Sequence, residues 1–425
     1  MNSVILLQEI QEKLEDIGNA DILVGIPSYN NARTIGHVVK AVQAGFAKYF
    51  PDKKCIIVNS DGGSTDDTME VVQKTAIEDS ESILFHHRVD PILKLAAPYH
   101  GIPGKGSAFR TIFEIAASLD VKACAVVDSD LRSITPEWIE LLIKPVLSGG
   151  FDYVAPLYHR HKYDGTITNS IVYPLTRALY GRRVRQPIGG DFGFSGALAR
   201  FYLTKDVWET DVARYGIDIW MTTTAIANDF KICQSFLGAK IHDPKDPGSD
   251  LSAMLYQVTG SAFDLMETYE EIWKQVKGSM SVPAFGFQYT VGLEPVHVDI
   301  GRMIERFRLG VRELIDIWKK FLTVEIIEFL QKAKREKKGA FKIPDEIWVN
   351  IIYSFALAAH RKVINKEHLL KSLTSLYIGR TASFVLDTAS SDSSEVEEKI
   401  ERLCRSFEDN KPFLLNNWDI EGGMS

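Results

Sequence analysis

The sequence predicts an α/β fold in which a mostly parallel sheet is flanked by helices, followed by a helical C-terminal region. Between residues 20 and 250, short apolar runs rich in Val, Ile and Ala alternate with segments whose apolar residues recur at helical spacing. This alternation is typical of right-handed βαβ units and a parallel sheet. Beyond Leu251 only the helical spacing continues, which predicts helices alone.

The predicted strands are short, and most of them are followed by a predicted helix. The strands are expected at residues 21–27, 54–59, 82–85, 123–127, 153–157 and 231–237. The helices among them are expected at 34–50, 69–77 and 108–119, after residues 165–169 through Tyr180, and from 215–218 through Ala227. The later helices are expected at 252–277, 302–337, 347–361, 367–387 and 395–406. The predicted domains are therefore an N-terminal helix (1–19), an α/β domain (20–250) and a helical region (251–425).

Composition excludes several classes of protein. With 45% hydrophobic and 25% charged residues the chain is that of an ordinary globular protein. Its net charge of −7 gives no broad attraction to nucleic acid or to an anionic membrane. No apolar run approaches the roughly 18 residues of a transmembrane helix. The four cysteines form no Cys-X-X-Cys pair, which predicts reduced thiols in a cytoplasmic protein.

Polar or glycine-rich loops lie beside four of the predicted strands. These loops are at residues 29–31, 61–64, 104–106 and 128–130. Ligands of open α/β sheets bind outside the carboxyl ends of the strands. We therefore expect the four loops to line one ligand-binding edge.

The Asp128-Ser129-Asp130 segment directly follows a buried strand. Residues two apart on a strand point to the same side, so both carboxylates can reach one divalent ion, and such oxygen ligands suit Mg²⁺ or Mn²⁺ held together with substrate phosphates. The alternative is a polar loop with two solvated aspartates. Lys105, between two glycines, either meets a phosphate or lies in an ordinary turn.

Two further features are open to more than one interpretation. A basic cluster at residues 159–162 and 182–185 is either a solvated face or a site for an anionic acceptor, since arginine matches carboxylate and phosphate geometry. His242, taken alone, is more often structural than a metal ligand.

Seven motifs in order resemble those of the GT-A nucleotide-sugar glycosyltransferases, and most closely the glucosyl-3-phosphoglycerate and mannosylglycerate synthases. The motifs are Gly-Ile-Pro-Ser-Tyr-Asn (25–30), Asp-Gly-Gly-Ser (61–64), Pro-Gly-Lys-Gly (103–106), Asp-Ser-Asp (128–130), Gln-Pro-Ile-Gly-Gly (186–190), Tyr-Gly-Ile-Asp (215–218) and Ile-His (241–242). The resemblance covers roughly residues 20–250. It implies a GT-A fold, which is Rossmann-like, with a catalytic domain over those residues.

The resemblance also implies roles for individual residues. The implied metal ligands are Asp130 and His242, with Asp128 close to the ribose and the metal. Residues around the donor are implied to be Pro27, Tyr29, Asn30, Asp61, Gly104, Lys105, Asp128, Ser129, Gly189 and Gly190. Arg160 and Thr168 would hold the acceptor carboxylate, and Asp218 would contact acceptor or donor sugar near the reacting centre. Asp218, Asp130 and Lys105 are thus the predicted catalytic residues.

One departure from the family pattern concerns the acceptor. The phosphoglycerate enzymes usually carry arginine at the second position of the loop that matches residues 165–168, and this chain has Thr166. Free glycerate or another small acid is therefore favoured over 3-phosphoglycerate as the acceptor, unless Arg182, Arg183 or Arg185 takes the place of the missing arginine.

The resemblance implies a metal-dependent transferase that retains the anomeric configuration. The expected donor is UDP-glucose or GDP-mannose, and the product a glucosylglycerate or mannosylglycerate type of compound. A double displacement needs a carboxylate nucleophile, for which Asp218 and Asp191 are the candidates. A front-face route, in which the leaving phosphate helps to deprotonate the acceptor, is favoured.

The expected partners are a nucleotide-sugar donor, a small anionic acceptor and, as often in the family, a second copy of the chain in a homodimer. Nucleic acid and membrane are not expected. Two alternatives stay open: an inverting GT-A enzyme acting on polysaccharide or lipid phosphate, and a nucleotide-sugar-binding protein without activity.

Overall fold

The computed structural model of the chain describes residues 8–83, 93–98, 104–241, 251–288 and 296–420. These residues divide into two compact units that interleave along the sequence. Unit 1 comprises Met1–His159, Val184–Asp243 and Val282–Leu293, and unit 2 comprises Arg160–Arg183, Pro244–Ser281 and Glu294–Ser425. The predicted domain boundaries remain a prediction, while the contacts group residues 160–183 with the later helices.

Unit 1 is built on a sheet that has eight strands within the described residues. The strands are β1 (Ile22–Ser28), β2 (Cys55–Asp61), β3 (Leu93–Pro98), β4 (Ala123–Val126), β5 (Tyr153–His159), β7 (Phe192–Ser195), β8 (Ile232–Ala239) and β10 (Ala284–Phe285). Their order is β10-β8-β5-β7-β4-β1-β2-β3. β7 is antiparallel to both of its neighbours, and the other described pairs are parallel. The predicted mostly parallel sheet is confirmed.

The helices of unit 1 connect these strands. They are α1 (Gln8–Ile17), α2 (Ile35–Tyr49), α3 (Thr68–Ile83), α4 (Lys105–Ser118), α5 (Pro136–Leu147), α7 (Gly196–Leu203) and α8 (Ile217–Ala227). A core of buried side chains lies between the sheet and α2 and α5, and includes Val24, Val39, Ala125 and Trp138. This core fixes the strands, and with them the loops at their carboxyl ends.

Unit 2 is largely helical, as the C-terminal pattern predicts. It contains a five-residue π-helix (Thr168–Val172), α6 (Tyr173–Tyr180), α9 (Ser252–Thr268), α10 (Glu270–Trp273), α11 (Ile300–Trp318), α12 (Val324–Ala333), α13 (Asp345–His360), α14 (Lys366–Asp387), α15 (Ser393–Asp409) and α16 (Lys411–Trp418). The two-residue strands β6 (Arg182–Arg183) and β9 (Met280–Ser281) pair with each other. Buried Arg177 of α6 pairs with Glu401 and Glu408 of α15 at 2.5 and 2.9 Å, which ties the two helices together.

The structure differs from the sequence prediction in several elements, among which the helices α5, α7 and α16 were not predicted. The strand expected at 82–85 is wrong at its start, because α3 continues to Ile83 and the third strand begins at Leu93; residues 84 and 85 lie outside the described ranges. The helix expected at 302–337 is two helices, separated where Thr323 caps α12. The short antiparallel strand β7 was not predicted.

No helix in the described part of the chain is long and apolar enough to cross a bilayer. The four cysteines, all of which are described, are buried free thiols. Burial raises the pKa of Cys55 to about 12, so this thiol stays protonated and unreactive at neutral pH.

Candidate active site at the carboxyl edge of the sheet

The loops after β1 and β4 are joined at the carboxyl edge of the sheet. Ser129 Oγ donates a hydrogen bond to Asn31 Oδ1 at 2.8 Å. Thr34 Oγ1 donates to the Ser129 carbonyl, also at 2.8 Å. These bonds hold the Asp128-Ser129-Asp130 segment against the loop that carries Tyr29 and Asn30, as the sequence predicts.

The loop after β2 is organised by Asp61. Its carboxylate accepts hydrogen bonds from the Gly63 and Ser64 amides at 2.9 and 2.8 Å. It also accepts the Ser28 and Ser64 hydroxyls, both at 2.7 Å. A carboxylate offers about four acceptor sites, so Asp61 shapes this loop with all of them. A ligand contact by this carboxylate would need one of these bonds to be given up.

Asn30 connects the first two loops from a left-handed backbone conformation, with φ of 54°. Its amide donates to Ser64 Oγ, and its side-chain oxygen accepts from the Thr65 amide, both at 2.8 Å. The neighbouring Tyr29 is 60% exposed. Its ring is therefore accessible at the edge of the sheet, whereas Pro27 is buried within β1.

Three predicted residues meet in one ion cluster at the end of β4. Lys105, the first residue of α4, places Nζ 2.8 Å from Asp128 Oδ1 and 3.3 Å from Asp218 Oδ1. Asp218 lies in the first turn of α8. The cluster is largely removed from water, since the three side chains are between 11% and 21% exposed.

Lys240 completes this cluster and is not among the predicted site residues. Its Nζ donates to Asp128 Oδ2 and to Asp191 Oδ2, each at 2.7 Å, and to the Gly189 carbonyl at 2.8 Å. The side chain is 4% exposed. A lone lysine at the end of the predicted strand 231–237 was the available signal, but a strand-terminal lysine is usually solvated.

Asp191 is fully buried and anchored on all sides. It accepts Lys240, the Asp128 amide at 2.8 Å, and the Tyr158 hydroxyl. Asp191 is one of the two predicted candidates for a nucleophile. Its carboxylate, enclosed by these donors, supports the positions of Asp128 and Lys240 instead.

Position 190 requires glycine because its Cα faces the Asp128 carboxylate. Its φ is +90°, and an added Cβ would lie 2.3 Å from Asp128 Oδ2 and 2.8 Å from Lys240 Nζ. A side chain would therefore displace the ion pair as well as strain the backbone. Gly189 contributes its carbonyl to Lys240.

The Gly104-Lys105-Gly106 segment packs closely on residues 212–214. An added Cβ at Gly106 would lie 1.8 Å from the Val212 carbonyl oxygen, and one at Gly104 would lie 2.5 Å from that of Ala213. The Gly106 amide donates to the Arg214 carbonyl at 3.2 Å. This close approach seats the start of α4 and aims Lys105 into the cluster.

Burial and charge act in opposite directions on the carboxyl groups. Burial disfavours ionised Asp128, but the Lys105 and Lys240 ammonium groups outweigh it and hold the Asp128 pKa well below its usual range. Burial raises the pKa of Asp218, and Lys105 offsets this only in part. Burial likewise raises the pKa of Asp191.

A buried oxygen of Asp218 is left without a hydrogen bond. Within the described residues, Asp218 Oδ1 has Lys105 Nζ at ion-pair distance but accepts no hydrogen bond. Buried polar atoms are seldom left in this state, and such an atom calls for an explanation. A hydroxyl group of a bound ligand would satisfy it.

The predicted metal ligands Asp128 and Asp130 differ in the charged groups that they contact. Both Asp128 oxygens already face a lysine ammonium, whereas Asp130 is half-buried and has no ion pair among the described residues. His242 lies outside the described ranges, and within those ranges no three His, Cys, Asp or Glu side chains form a metal cluster. The preceding residue, Ile241, exchanges backbone and side-chain hydrogen bonds with Arg132 and Ser133 at 2.9 Å.

The predicted acceptor residues Arg160 and Thr168 belong to unit 2. There they lie on either side of Gly165, where an added Cβ would be 3.6 Å from an Arg160 nitrogen and 3.9 Å from Thr168 Oγ1. Thr166 is buried, and its hydroxyl shares a 2.5 Å hydrogen bond with the Tyr377 hydroxyl. The residue that departs from the family pattern thus packs into the helices of unit 2.

Comparisons with known proteins find similarity to glycosyltransferases. Residues 23–208 match the sequence profile described as Glycosyl transferase family 2. Glycosyltransferase AglD of Haloferax volcanii is 26% identical over 132 residues, which are 31% of this chain and 19% of that protein. The match thus spans less than a quarter of the relative's length.

The structure was also compared with solved structures. Glucosyl-3-phosphoglycerate synthase from Mycobacterium tuberculosis, in complex with Mg²⁺ and UDP, has 21% sequence identity and a TM-score of 0.43, over 60% of this chain and 82% of that one. The same enzyme with Mn²⁺, UDP-glucose and phosphoglyceric acid gives 21% and 0.43, over 60% and 83%.

Proposed function

Residues 23–208 form a glycosyltransferase family 2 domain, and from this premise we propose that the chain is a metal-dependent, retaining hexosyltransferase with a small anionic acceptor. The donor is UDP-glucose or GDP-mannose, and the acceptor is glycerate or 3-phosphoglycerate. The proposed products are of the glucosylglycerate or mannosylglycerate type. The observation that carries the proposal is the position of Asp218 beside Lys105 and Asp128, with one carboxylate oxygen left unsatisfied.

Asp218 is the proposed residue at the reacting centre. Its raised pKa and its unsatisfied Oδ1 suit a group that accepts a hydrogen bond from a sugar or acceptor hydroxyl. Correct placement of reacting groups supplies a large part of enzymatic rate enhancement. The first turn of α8 and the Lys105 ion pair hold this carboxylate in position before any ligand binds.

Asp130 is the proposed direct ligand of Mg²⁺ or Mn²⁺. Mg²⁺ is usually bound through one or two carboxylates together with substrate phosphates, so one accessible aspartate fits such a site. His242 is the proposed second ligand, and the anchoring of Ile241 beside Ser133 supports it. Asp128, held by two lysines, would support the site from behind. When bound, the ion neutralises charge on the leaving diphosphate.

Lys105 is the proposed protein cation for the donor phosphates. In the structure its ammonium group lies between Asp128 and Asp218. From this position a small rotation of the lysine side chain would move the ammonium group from one partner to another. Fixed cations aimed at developing negative charge are a large source of transition-state stabilisation. The buried lysine stays charged, because the two carboxylates outweigh the cost of burial and raise its pKa.

We infer a front-face route, as the family resemblance implies, and the burial of Asp191 removes one of the two nucleophile candidates for a double displacement. A nucleophile must reach the anomeric carbon, and Asp191 is fully buried among Lys240, Tyr158 and the Asp128 amide. Asp218 is then the remaining candidate of the two. In the front-face route, the leaving phosphate takes the acceptor proton and Asp218 orients the hydroxyl.

The donor base and ribose are proposed to lie along the loops after β1, β2 and β4. Tyr29 presents an exposed ring, and Asn30, Asp61 and Ser129 hold the loops together through hydrogen bonds. Pro27 is proposed to lie beside the base and ribose, and Gly104 to let the backbone approach the nucleotide closely. Gly189 and Gly190 are proposed to run along the sugar.

The acceptor is proposed to be held by Arg160 and Thr168. Because Thr166 is engaged with Tyr377, free glycerate is the first acceptor to test and 3-phosphoglycerate the second. The buried free thiols suit the cytoplasm, where reducing conditions prevail. A homodimer is proposed from the family resemblance, and light scattering of the purified chain measures it.

The test is release of nucleoside diphosphate in the presence of Mg²⁺ or Mn²⁺. The donors are UDP-glucose, GDP-glucose and GDP-mannose, and the acceptors are glycerate, 3-phosphoglycerate and none. Asp130→Ala and Asp218→Asn are compared with Asp206→Ala, which removes an exposed aspartate. Product anomers are assigned by NMR.

The expected result is release that depends on the acceptor, disappears with EDTA and in Asp130→Ala, and is unchanged in Asp206→Ala. Removal of one group that contacts the transition state typically lowers the rate by about 10²–10³-fold. We expect a loss of activity of about this size in Asp218→Asn. Donor binding without acceptor-dependent release would refute the glycerate assignment. Full activity in Asp218→Asn would refute the proposed role of this residue.

A further inference from the structure

Unit 2 contains a cavity whose lining includes none of the residues proposed above to hold the donor, the metal or the acceptor. It has a volume of about 340 Å³ and is formed by residues of unit 2 throughout. Its walls come from the end of α14, the middle of α15, the segment before α13, and the start of the π-helix. This volume lies at the lower end of small-molecule sites, which run from about 300 to 1,000 Å³.

The charged residues that line the cavity are predominantly cationic. Four carry positive charge and two carry negative charge, so the lining has an excess of two positive charges. These residues are Lys342, Arg380, Lys399 and Arg402, against Asp345 and Asp387. In a chain with a net charge of −7, this concentration of positive charge is notable.

Internal ion pairs account for only half of the cations. Arg380 pairs with Asp345, and Lys399 pairs with Asp387 at 2.9 Å. Lys342 and Arg402 are exposed and form no ion pair within the described residues, although the charges of both help to lower the pKa of Asp387. These two are therefore available to a ligand at the mouth of the cavity.

The buried part of the cavity offers unsatisfied hydrogen-bond donors. Arg380 is 7% exposed, and its guanidinium donates to the Ile343 carbonyl at 2.5 Å and to Asp345. Its Nε has no hydrogen-bond partner among the described residues. A guanidinium nitrogen can only donate, so an acceptor is required to satisfy it.

Ser383 provides a hydroxyl beside this guanidinium. It is 4% exposed, and its Oγ accepts the Ile343 amide at 2.9 Å. Within the described residues no acceptor is found for its own proton. The cavity thus combines a buried guanidinium, a buried hydroxyl donor and two unpaired cations.

We propose that this cavity is a binding site for a small phosphate monoester, separate from the donor and acceptor sites. A phosphate monoester carries a charge of about −1.5 to −2 at neutral pH and three strong acceptor oxygens, which matches the excess of two positive charges. Arginine is well suited to phosphate recognition because its donors are fixed in a planar fork. The apolar walls, Ile343, Phe384 and Leu403, accommodate a short carbon chain.

Isothermal titration calorimetry on the full chain tests this site without any nucleotide sugar. The probes are inorganic phosphate and glycerol 3-phosphate, with glycerol and chloride at matched ionic strength as references. The variant is Lys342→Gln/Arg402→Gln, which removes the two unpaired cations. Its control is Lys338→Gln/Arg405→Gln, which removes the same charge from exposed residues outside the lining.

Saturable binding of glycerol 3-phosphate by the wild type and by the control is expected. The Kd should rise by about tenfold or more in Lys342→Gln/Arg402→Gln, because a charge-assisted hydrogen bond is worth at least that factor. Ser383→Ala should weaken binding as well, while circular dichroism shows whether each variant is folded. Tighter binding of inorganic phosphate than of glycerol 3-phosphate would identify a phosphate-ion site and overturn the monoester assignment.

Two results would overturn the proposal entirely. One is the absence of saturable binding at millimolar concentrations of both probes. The other is an equal loss of affinity in the two double variants, which would assign the effect to overall charge. The double variant changes no residue that is proposed for the donor or the acceptor, so a loss of affinity confined to Lys342→Gln/Arg402→Gln assigns binding to this cavity, and neither refuting result bears on the proposed glycosyl transfer.

Discussion

Replacement of Lys240 by methionine tests whether the ion cluster depends on a buried cation. The substitution keeps a long apolar stem but removes the ammonium group that donates to Asp128, Asp191 and the Gly189 carbonyl at 2.7–2.8 Å. Asp191 is fully buried, so water cannot take the place of the lost cation. The variant therefore leaves a buried carboxylate without its counter-ion.

The expected loss in the free energy of unfolding is about 3–5 kcal/mol, the usual cost of removing one partner of a buried ion pair. The loss should depend on pH. Without the cation, the pKa of Asp191 in the folded state rises further, so the folded variant binds protons more readily than the unfolded chain does. The difference between wild type and variant is then largest at alkaline pH, and it shrinks as the pH falls toward the ordinary aspartate pKa of about 3.9.

Urea titrations of Lys240→Met across this pH range measure the effect. Lys231→Met, an exposed lysine next to β8, is the matched control and should change stability by less than about 0.5 kcal/mol. In a double-mutant cycle, Asp191→Asn should cost less in the Lys240→Met background than in the wild type. A loss below about 1 kcal/mol that does not vary with pH would refute the reasoning, since it would describe a solvated pair.

Two further substitutions test the close approach at α4 and the state of Asp218. In Gly106→Ala the new Cβ meets the Val212 carbonyl oxygen at 1.8 Å, and overpacking should lower the free energy of unfolding by about 1–3 kcal/mol. Gly278→Ala, where no atom lies within 4 Å, should leave it nearly unchanged in the same urea titration; equal losses would contradict the packing argument. Asp218→Asn tests linkage: the raised pKa of Asp218 means that the folded wild type loses stability as the pH rises above the ordinary value of about 3.9. The variant should therefore gain stability relative to wild type between pH 4 and 7, and a constant difference across that range would show that Asp218 titrates normally.

The sheet edge and its loops were predictable because they follow from local patterns. Apolar runs followed by the polar segments that contain Tyr29, Asp61 and Asp128 predict parallel strands. Parallel strands bring their carboxyl ends together at one edge of the sheet. The hydrogen bonds between Asn31 and Ser129, and between Asn30 and Ser64, place these loops side by side. The glycosyltransferase prediction, made from the same motifs, agrees with the match of residues 23–208 to the profile of glycosyl transferase family 2.

The elements that the sequence did not reveal depend on distant parts of the chain. β7 has four residues, and it is held only because β4 and β5 each offer it a free edge. The same applies to Lys240, whose partners are 112 and 49 residues away along the chain. The apolar residues Ile83, Leu84 and Phe85 predict a strand over 82–85, but α3 extends through Ile83. An apolar run of only a few residues does not distinguish the end of a helix from a short strand.

The charge balance of the cluster connects these observations. Three aspartates, at positions 128, 191 and 218, face two lysines, at positions 105 and 240. Burial raises the pKa of both Asp191 and Asp218, and the neighbouring Asp128 carboxylate adds to this effect, while the lysines oppose it. Asp130 adds a further negative charge beside the cluster, so a bare diphosphate would meet repulsion there. In the proposed function, a divalent cation and a nucleotide sugar together bring the compensating charge that neither the donor alone nor the two lysines can supply.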